Sequence, residues 1–385
     1  MQYRKFGKNR NDVSILGFGC MRFPVIDGDS KKIDEKKSSE MLRYAYDKGV
    51  NYFDTAYPYH GGESERFVGK FLKEEGIRDK VYLATKLPSW EVKSPEDFDR
   101  LFNEQLEKLQ TDYIDYYLIH ALNPDFWKAV TENGLFEWAD RQIVAGRIKE
   151  LGFSFHAEFS LFKEIIDAYD WSFAQIQYNY MDIDRQAGWD GVMYAASQGV
   201  SLVIMEPLMG GKLANPPKEV VENFNNAETE RSAVGWALQW LWDHKEVGVV
   251  LSGMSEMAQV EENVTLASNS SINMFTDADQ TVIAKARDGY NKRSAIPCTN
   301  CKYCLPCTVD LKIPDLFGMF NHARMYDTLE ETARWYKNRK PEEMASACID
   351  CDECEPKCPQ GIVISDWMPK VAAVMEEGKT FGDVL

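Results

Sequence analysis

The sequence lacks several features that would place the protein in a membrane or on nucleic acid. No apolar run approaches the length of a membrane span, and the N-terminus is charged from Arg4 onward, without the apolar centre of a signal peptide. Basic residues are in deficit, because 44 lysines and arginines stand against 61 aspartates and glutamates, for a formal net charge of −17. Such a chain repels phosphates. A cytoplasmic protein with neither membrane nor nucleic acid as its partner is therefore expected.

Cysteine is almost missing before residue 298, where Cys20 is the single example. Eight cysteines then follow in two tight runs, which are Cys298, Cys301, Cys304 and Cys307, and Cys348, Cys351, Cys354 and Cys358. The second run, C-x2-C-x2-C-x3-C-P, resembles the bacterial ferredoxin signature, in which three thiolates hold one cluster and the fourth binds another. Two [4Fe–4S] clusters held by all eight cysteines are predicted, with a pair of structural zinc sites as the alternative.

The first cysteine run departs from this signature at its end. Cys307 comes one residue early, and Thr308 follows it in place of proline. Its role as a ligand is therefore the most open of the eight.

Short apolar runs alternate with longer amphipathic segments from residue 13 to about residue 265. Eight of the runs are predicted as strands: Val13–Gly17, Asn51–Asp54, Val81–Thr85, Ile114–Ile119, Ile148–Phe153, Phe173–Gln177, Ser201–Met205 and Val247–Leu251. No G-x-G-x-x-G follows the first of them, which disfavours a doubly wound sheet. The rhythm predicts an α/β chain with a (β/α)8 TIM barrel, whose active site lies at the C-terminal ends of the strands.

The domain prediction follows from the same rhythm and from the cysteines. Residues 1–275 are assigned to the barrel, 276–294 to a helical linker and 295–385 to a smaller, mainly helical ferredoxin-like iron–sulfur domain. The spacer between the cysteine runs carries helical patterns such as Thr328–Lys337. No internal repeat is evident beyond the strand–helix rhythm.

Four polar residues stand at or just after three successive strand ends. Asp54 ends the second strand, Tyr59 follows it, and Lys86 and His120 end the third and fourth strands. A buried lysine is costly unless it is paired, which makes Asp54 its natural partner. A tyrosine beside a cation gives up its proton more readily, and a histidine can hydrogen-bond a substrate oxygen. Together these side chains predict acid catalysis at an oxygen atom.

Residues 1 to about 268 resemble an aldo-keto reductase. The resemblance rests on the opening Tyr3–Gly7, on Leu16–Arg22 and on the stretch Asp54-Thr55-Ala56-x-x-Tyr59, and the whole architecture is similar to the subgroup with a C-terminal iron–sulfur extension. The resemblance implies that Tyr59 is the general acid toward a carbonyl oxygen. It also implies that Lys86, held by Asp54, lowers the pKa of Tyr59, and that His120 orients the carbonyl.

The resemblance further implies a nicotinamide cofactor, NADP or NAD. Gln175 matches the glutamine that holds the carboxamide, and Met205 replaces the aromatic residue that commonly stacks on the ring. Gln259 stands where many members place an arginine against the 2′-phosphate, so NADH is a candidate beside NADPH. The full predicted set is Gly19, Cys20, Met21, Asp54, Ser154, Gln175, Met205, Pro207, Leu208, Gly211, Gly253, Ser255, Gln259, Glu262 and Asn263.

Two functions are consistent with these residues. The first is a reductase that acts on a small-molecule carbonyl, an aldehyde or ketone, with NADH or NADPH. Because a hydride carries two electrons and each cluster one, and because no flavin site is visible, the clusters are expected to be structural, to act as sensors or to dock an external redox protein. The second is a redox sensor or electron relay whose barrel binds nicotinamide but turns over poorly.

Overall fold

The computed structural model describes all 385 residues, and its chain divides into two compact units. The first contains Met1–Gly211 and Arg231–Thr276, and the second contains Lys212–Glu230 and Asp277–Leu385. The segment predicted as a linker is mostly a helix, Asp277–Lys292, that belongs to the second unit. The predicted domain boundaries themselves stay predictions.

The first unit is a closed parallel barrel preceded by a hairpin. The antiparallel hairpin consists of β1 (Tyr3–Phe6) and β2 (Asn11–Ser14). The barrel strands are β3 (Leu16–Gly19), β4 (Tyr52–Asp54), β5 (Tyr82–Leu87), β6 (Ile114–Leu122), β7 (Ile148–Phe155), β8 (Phe173–Gln177), β9 (Ser201–Met205) and β10 (Val247–Gly253). Strand β10 pairs in parallel with β3, which closes the barrel. The predicted (β/α)8 fold is confirmed.

The bounds of the first predicted strand are wrong. Val13–Gly17 spans the end of β2 and the start of β3, because the chain turns at Ile15 from the hairpin into the barrel. The backbone groups of Ile15 are bonded to both parts: its N–H donates to Gln2 O over 3.0 Å, and its carbonyl accepts from Val250 N over 2.8 Å. Two short strands with different partners therefore look like one apolar run.

Helices connect the strands of the barrel. They are α1 (Glu35–Asp47), α2 (Glu63–Glu74), α3 (Pro95–Leu109), α4 (Pro124–Glu132), α5 (Leu135–Val144), α6 (Phe159–Ala168) and α7 (Gly188–Ser197), and, after α8 (Lys218–Asn225) of the second unit, α9 (Ala233–Asp243) and α10 (Met257–Ser268). Helix α3 has a clear start signal, because Ser94 forms a capping box with Asp97 and Pro95 occupies the first turn.

An aromatic plug fills the hairpin end of the barrel. The ring of Phe6 lies 5.3 Å from Tyr116, 5.7 Å from Phe173 and 6.1 Å from Tyr52, measured between centroids. Gly248 makes room for it, since a Cβ atom there would lie 2.5 Å from the Phe6 ring. The N-terminal end of the barrel is thereby closed, and the C-terminal strand ends are left for a site.

The second unit is helical, as predicted. It contains α8, α11 (Asp277–Lys292), α12 (Ile313–Met325), α13 (Leu329–Tyr336), α14 (Ile364–Met375) and α15 (Phe381–Val384), and no strand forms between residues 277 and 385. Its core combines aliphatic and aromatic side chains with the buried Cys304, and five more cysteines pack against it. No helix of the protein is both long and apolar enough to cross a membrane.

The two cysteine runs share one structural plan. Helix α12 begins at Ile313 and helix α14 at Ile364, each six residues after the last cysteine of its run. Inside each run, the second and fourth residues after the first cysteine have positive φ: Asn300 and Lys302 in one, Asp350 and Asp352 in the other. The repeat is one of backbone conformation, so few side chains reveal it.

Candidate active site and cluster sites

The structure brings three of the four predicted catalytic side chains into direct contact at the C-terminal strand ends. The ammonium of Lys86 donates to Asp54 Oδ1 over 2.5 Å and to the Thr55 carbonyl over 2.8 Å, and it lies 3.4 Å from the hydroxyl of Tyr59. Lys86 and Asp54 are almost fully buried, at 0% and 2% exposed. A buried charge pair of this kind is stable only because its hydrogen bonds offset the loss of water.

Charge and burial set the protonation of this pair. Burial lowers the pKa of Lys86, but Asp54 and Tyr59 raise it by more, so the ammonium stays charged near neutral pH. Burial also raises the pKa of the Asp54 carboxyl, an effect that Lys86 opposes. The arrangement therefore holds a cation directly beside the phenol.

Two opposing effects set the pKa of Tyr59. Lys86 lowers it, as predicted, but burial raises it by more, so the pKa lies above that of a free tyrosine. The effect of the cation could be expected from the sequence, whereas the loss of solvent depends on the fold. Tyr59 consequently keeps its proton at neutral pH, which is the form that a proton donor needs.

His120 lies next to Tyr59 with its ring uncharged. The two ring centroids are 6.3 Å apart with the planes at 81°, and the ring of Trp90 lies 5.2 Å from His120 on another side. Burial, Lys86 and His156 all lower the pKa of His120 well below its usual value. Its Nδ1 atom is buried without a hydrogen-bond partner. A neutral imidazole carries a single N–H donor.

The residues matched to the nicotinamide lie on β7, β8 and β9. Gln175 is 2% exposed, its Nε2 lies 3.5 Å from the sulfur of Met205, and its Oε1 has no partner. An unpartnered buried amide oxygen costs about 1–3 kcal/mol, which a primary carboxamide would remove by donating to it. The hydroxyl of Ser154 accepts from Ala121 N over 2.7 Å and keeps its own proton for a ligand. These side chains fit a nicotinamide.

The loop after β9 contains four residues with positive φ, a backbone conformation that few residue types favour. Glu206, Met209, Gly210 and Gly211 have φ of 55°, 48°, 68° and 100°, and Pro207 and Leu208 lie between them. Asn179, absent from the predicted set, supports the loop: its amide donates to the Glu206 carbonyl over 3.1 Å. An asparagine that closely follows a strand end is the signal that could have identified it.

The side chains matched to the adenosine cluster around the start of α10. Gln259 Oε1 accepts from Ser255 N over 2.8 Å and from Glu256 N over 3.3 Å, and Glu256 caps the same helix with its own side chain. Asn263 donates to Ser252 over 2.9 Å, and Glu262 accepts from Ser232 over 2.6 Å. Gln259 and Glu256 thus each accept a hydrogen bond from the other's backbone N–H at the start of α10.

The remaining predicted positions lie at the ends of β3 and β10. A Cβ atom at Gly19 would lie 3.2 Å from the Ser252 carbonyl, and one at Gly253 would lie 3.2 Å from Arg22. Cys20 is fully buried with its sulfur 3.7 Å from the Phe18 carbonyl, whereas Met21 is 54% exposed. The neighbouring atoms are backbone atoms of β10 at Gly19 and side-chain atoms of Arg22 at Gly253, so a side chain at either position would press on its neighbour.

The eight clustered cysteines form no disulfide and surround two cavities of about 320 and 330 Å³, open solvent included. The first cavity is lined by Cys298, Cys301, Cys304 and Cys358. The second is lined by Cys307, Cys348, Cys351 and Cys354. Each run thus sends its fourth cysteine to the cavity of the other run, which is the exchange found in two-cluster ferredoxins.

The arrangement of the thiols suits a cluster. No group of three or more His, Cys, Asp or Glu side chains converges as a single metal ion would require. A [4Fe–4S] cluster instead binds each of its four thiolates through a different iron atom, so its ligands surround a volume. Aliphatic side chains, among them Ile313 and Ile364 at both cavities, complete the walls. Four thiols around each cavity fit such a cluster.

Comparison with known proteins gives the family. Residues 15–281 match the Aldo/keto reductase family, and residues 297–363 match a 4Fe-4S dicluster domain. L-galactose dehydrogenase of Arabidopsis thaliana is 27% identical over 291 residues, which cover 69% of this chain and 87% of the relative. Aldo-keto reductase AFTS1 of Alternaria alternata is 25% identical over 319 residues, with 68% and 86% covered.

A solved structure agrees with these matches. The holo form of aldo-keto reductase AKR11C1 from Bacillus halodurans superimposes with a TM-score of 0.62 at 28% identity, over 74% of this chain and 96% of that one. Since the family match covers more than half of the chain, the protein belongs to the aldo/keto reductase family of oxidoreductases and carries a 4Fe-4S dicluster domain after its barrel.

Proposed function

We propose that the protein reduces an aldehyde or a ketone to an alcohol with a nicotinamide cofactor. The observation that supports this most directly is the contact of Lys86 with both Asp54 and Tyr59 at the strand ends. A protonated phenol beside a buried cation can donate its proton and leave a stabilised phenolate.

Each residue of the site has a separate role in the proposed reaction. The bound nicotinamide supplies a hydride to the carbonyl carbon. Tyr59 donates its proton to the carbonyl oxygen, and Lys86 stabilises the negative charge left on the phenol. Asp54 holds Lys86 in place, and the N–H of neutral His120 orients the carbonyl oxygen. Gln175 and Ser154 hold the carboxamide, so that the hydride donor faces the substrate carbon.

An aromatic wall favours an apolar substrate. Trp90 lies 5.2 Å from His120 and 6.3 Å from Phe126, measured between ring centroids. Flat rings beside the hydrogen-bonding group bind apolar or aromatic carbonyls by contact with their carbon skeleton. We therefore place Trp90 among the residues that determine the substrate.

We propose NADH as the preferred cofactor. A 2′-phosphate is favoured by a cation at the start of α10, where Gln259 stands and accepts from the N–H groups of Ser255 and Glu256. Gln259 supplies no positive charge, and the carboxylate of Glu256 repels a phosphate. A ribose with a free 2′-hydroxyl meets neither obstacle.

We also propose a [4Fe–4S] cluster in each of the two cysteine-lined cavities. This assigns Cys307, the most open of the eight by sequence, to the second cavity. The alternative function, a redox sensor or electron relay, draws support from the shared walls of the two cavities, which bring two one-electron sites together.

The test is anaerobic oxidation of NADH and NADPH against a panel of aldehydes, ketones and quinones, with Tyr59→Phe as the control. We expect turnover with NADH for the natural protein, and a loss of roughly 10²-fold or more in Tyr59→Phe with cofactor binding retained. Unchanged turnover in the variant would remove Tyr59 from the reaction. Cofactor binding without turnover in the natural protein would favour the sensor or relay.

A further inference from the structure

The two cysteine runs carry opposite charges on the same backbone. Asn300 and Lys302 have φ of 57° and 64°, and the matched Asp350 and Asp352 both have φ of 56°. Each pair lies two and four residues after the first cysteine of its run. The neutral amide of Asn300 thus matches the carboxylate of Asp350, and the ammonium of Lys302 matches the carboxylate of Asp352.

These charges reach the two cavities. Lys302 lines the first cavity, where no acidic side chain contributes. Asp350 and Asp352 line the second cavity, where no basic side chain contributes. The other walls are similar, and Ile313 and Ile364 belong to both. Net charge is therefore the main difference between two otherwise matched sites.

One contact opposes the effect of the carboxylates on the second cavity. The Thr308 hydroxyl lies 3.4 Å from the sulfur of Cys351, where a hydrogen bond would favour a reduced cluster in the second cavity. Sulfur is a weak acceptor, and a single long bond of this kind is outweighed by full charges that line the cavity.

Reduction of a cluster adds one negative charge to its site, so a nearby cation raises the reduction potential and nearby anions lower it. We infer that the cavity of Cys298, Cys301, Cys304 and Cys358 has the higher potential of the two, so that a single electron on this unit resides there. The inference rests on the proposal that both cavities hold [4Fe–4S] clusters.

The consequence is a direction for electron transfer. An electron that enters at the second cavity, from a one-electron carrier protein, moves to the first cavity across the shared wall. The second site is then oxidised by one electron and the first reduced by one, with no bond or proton exchanged. The unit would thus store an electron in the first cavity, which Lys302 lines.

The experiment is a redox titration of the full-length protein, purified anaerobically and reduced stepwise with dithionite while the paramagnetic resonance spectrum is recorded. Iron analysis comes first, because two clusters require about eight iron atoms per chain. We expect two separate midpoint potentials. Lys302→Gln should lower the higher midpoint alone, and the double variant Asp350→Asn with Asp352→Asn should raise the lower midpoint alone.

Lys337→Gln is the matched control, since it removes the same charge from an exposed residue of this unit that lines neither cavity. It should move neither midpoint. A single shared midpoint with about eight iron atoms, or a Lys302→Gln shift in the lower midpoint, would overturn the inference while leaving the two clusters intact. Markedly fewer iron atoms would overturn the two-cluster proposal itself.

The natural protein provides a second measurement that needs no variant. Cys301 and Cys351 are exposed, so the neighbouring charges are accessible to ions, and added salt should screen them. The gap between the midpoints should narrow as the ionic strength rises. A gap that is constant with salt would contradict an electrostatic origin, even where the variants fail to assemble their clusters.

Discussion

The barrel and the cysteine-rich unit build their cores from different materials. The barrel packs apolar and aromatic side chains from six of its strands around Phe6, and it places the buried ion pair of Lys86 with Asp54 at the opposite end. The second unit packs its helices against thiols: Cys304 is part of the core, and five other cysteines border it. The barrel core is complete in itself, whereas the core of the second unit includes the groups that would bind iron.

The difference has a thermodynamic meaning. Burial of apolar area stabilises the barrel at roughly 25 cal/mol per Å², whatever ligand is present. The loops that carry the cysteines contain no helix or strand beyond single turns, so metal binding contributes a large part of the free energy of folding there. The two regions should therefore respond differently to the same perturbation.

The largest expected effect is on the second unit when iron is removed. Anaerobic treatment with a strong chelator should abolish the protection of backbone amides from about residue 296 to residue 375, because the free thiols no longer close the two loops. The barrel amides should keep their protection. Hydrogen exchange followed by mass spectrometry measures both regions in one sample, and equal protection of the second unit before and after treatment would contradict its dependence on iron.

Lys86→Met should be the most damaging single change in the barrel. It leaves the Asp54 carboxylate buried without its partner, which costs about 3–5 kcal/mol of unfolding free energy, and turnover should fall by roughly 10²-fold or more. The matched control is Lys70→Met, which breaks an exposed ion pair with Glu35. That change should cost less than about 1 kcal/mol. Similar losses of unfolding free energy in the two variants would show that burial does not increase the contribution of the Lys86–Asp54 pair.

Phe6→Ala tests the aromatic plug without touching the active site. Removing a fully buried ring should lower the free energy of unfolding of the barrel by about 3–5 kcal/mol. Val144→Ala, at a residue that is 89% exposed, should change it by less than about 0.5 kcal/mol. Denaturant unfolding followed by tryptophan fluorescence measures both variants. The visible absorption of the clusters should be the same in Phe6→Ala as in the natural protein. A change in that absorption would show that the core of the second unit depends on the core of the barrel.

The smallest effect concerns pH. Because the folded protein lowers the pKa of His120, the unfolded chain binds an additional proton below its ordinary pKa of about 6.5. Stability from this group is fully present well above pH 6.5 and declines as the pH falls through that value. His120→Asn should make the free energy of unfolding less dependent on pH between about 7.5 and 5.5. Equal slopes for the two proteins would exclude the buried neutral form.

Local patterns were enough to predict most of the barrel. Strands β8 and β9 have the bounds that the apolar runs indicated. The boundary at Ile15 could not be read in the same way, because the residue at the break between the two strands is itself apolar. The net pKa of Tyr59 also needed the structure, since it depends on how much water the fold removes.

The cysteine runs show the same limit. Their spacing alone indicates iron–sulfur ligation, because few other sites use three cysteines at intervals of three residues. The ferredoxin signature of the second run also predicts that Cys358 binds the other cluster, and the structure groups it with Cys298. The place of Cys307, whose run departs from the signature, depends on how two loops distant in sequence pack together, and only the structure groups it with Cys348. The likeness of the loops is likewise one of φ angles, which side chains as different as Lys302 and Asp352 do not reveal.

The sequence by itself determined the (β/α)8 rhythm, the identity of the polar residues at the strand ends and the presence of two cysteine runs, because periodicity and spacing are local properties of the chain. The tertiary structure decided the contact of Lys86 with Tyr59, the net direction in which the pKa of that phenol shifts, and the grouping of Cys307 with the second cysteine run. Each of these depends on distances between segments far apart in sequence, and on the solvent that their packing excludes.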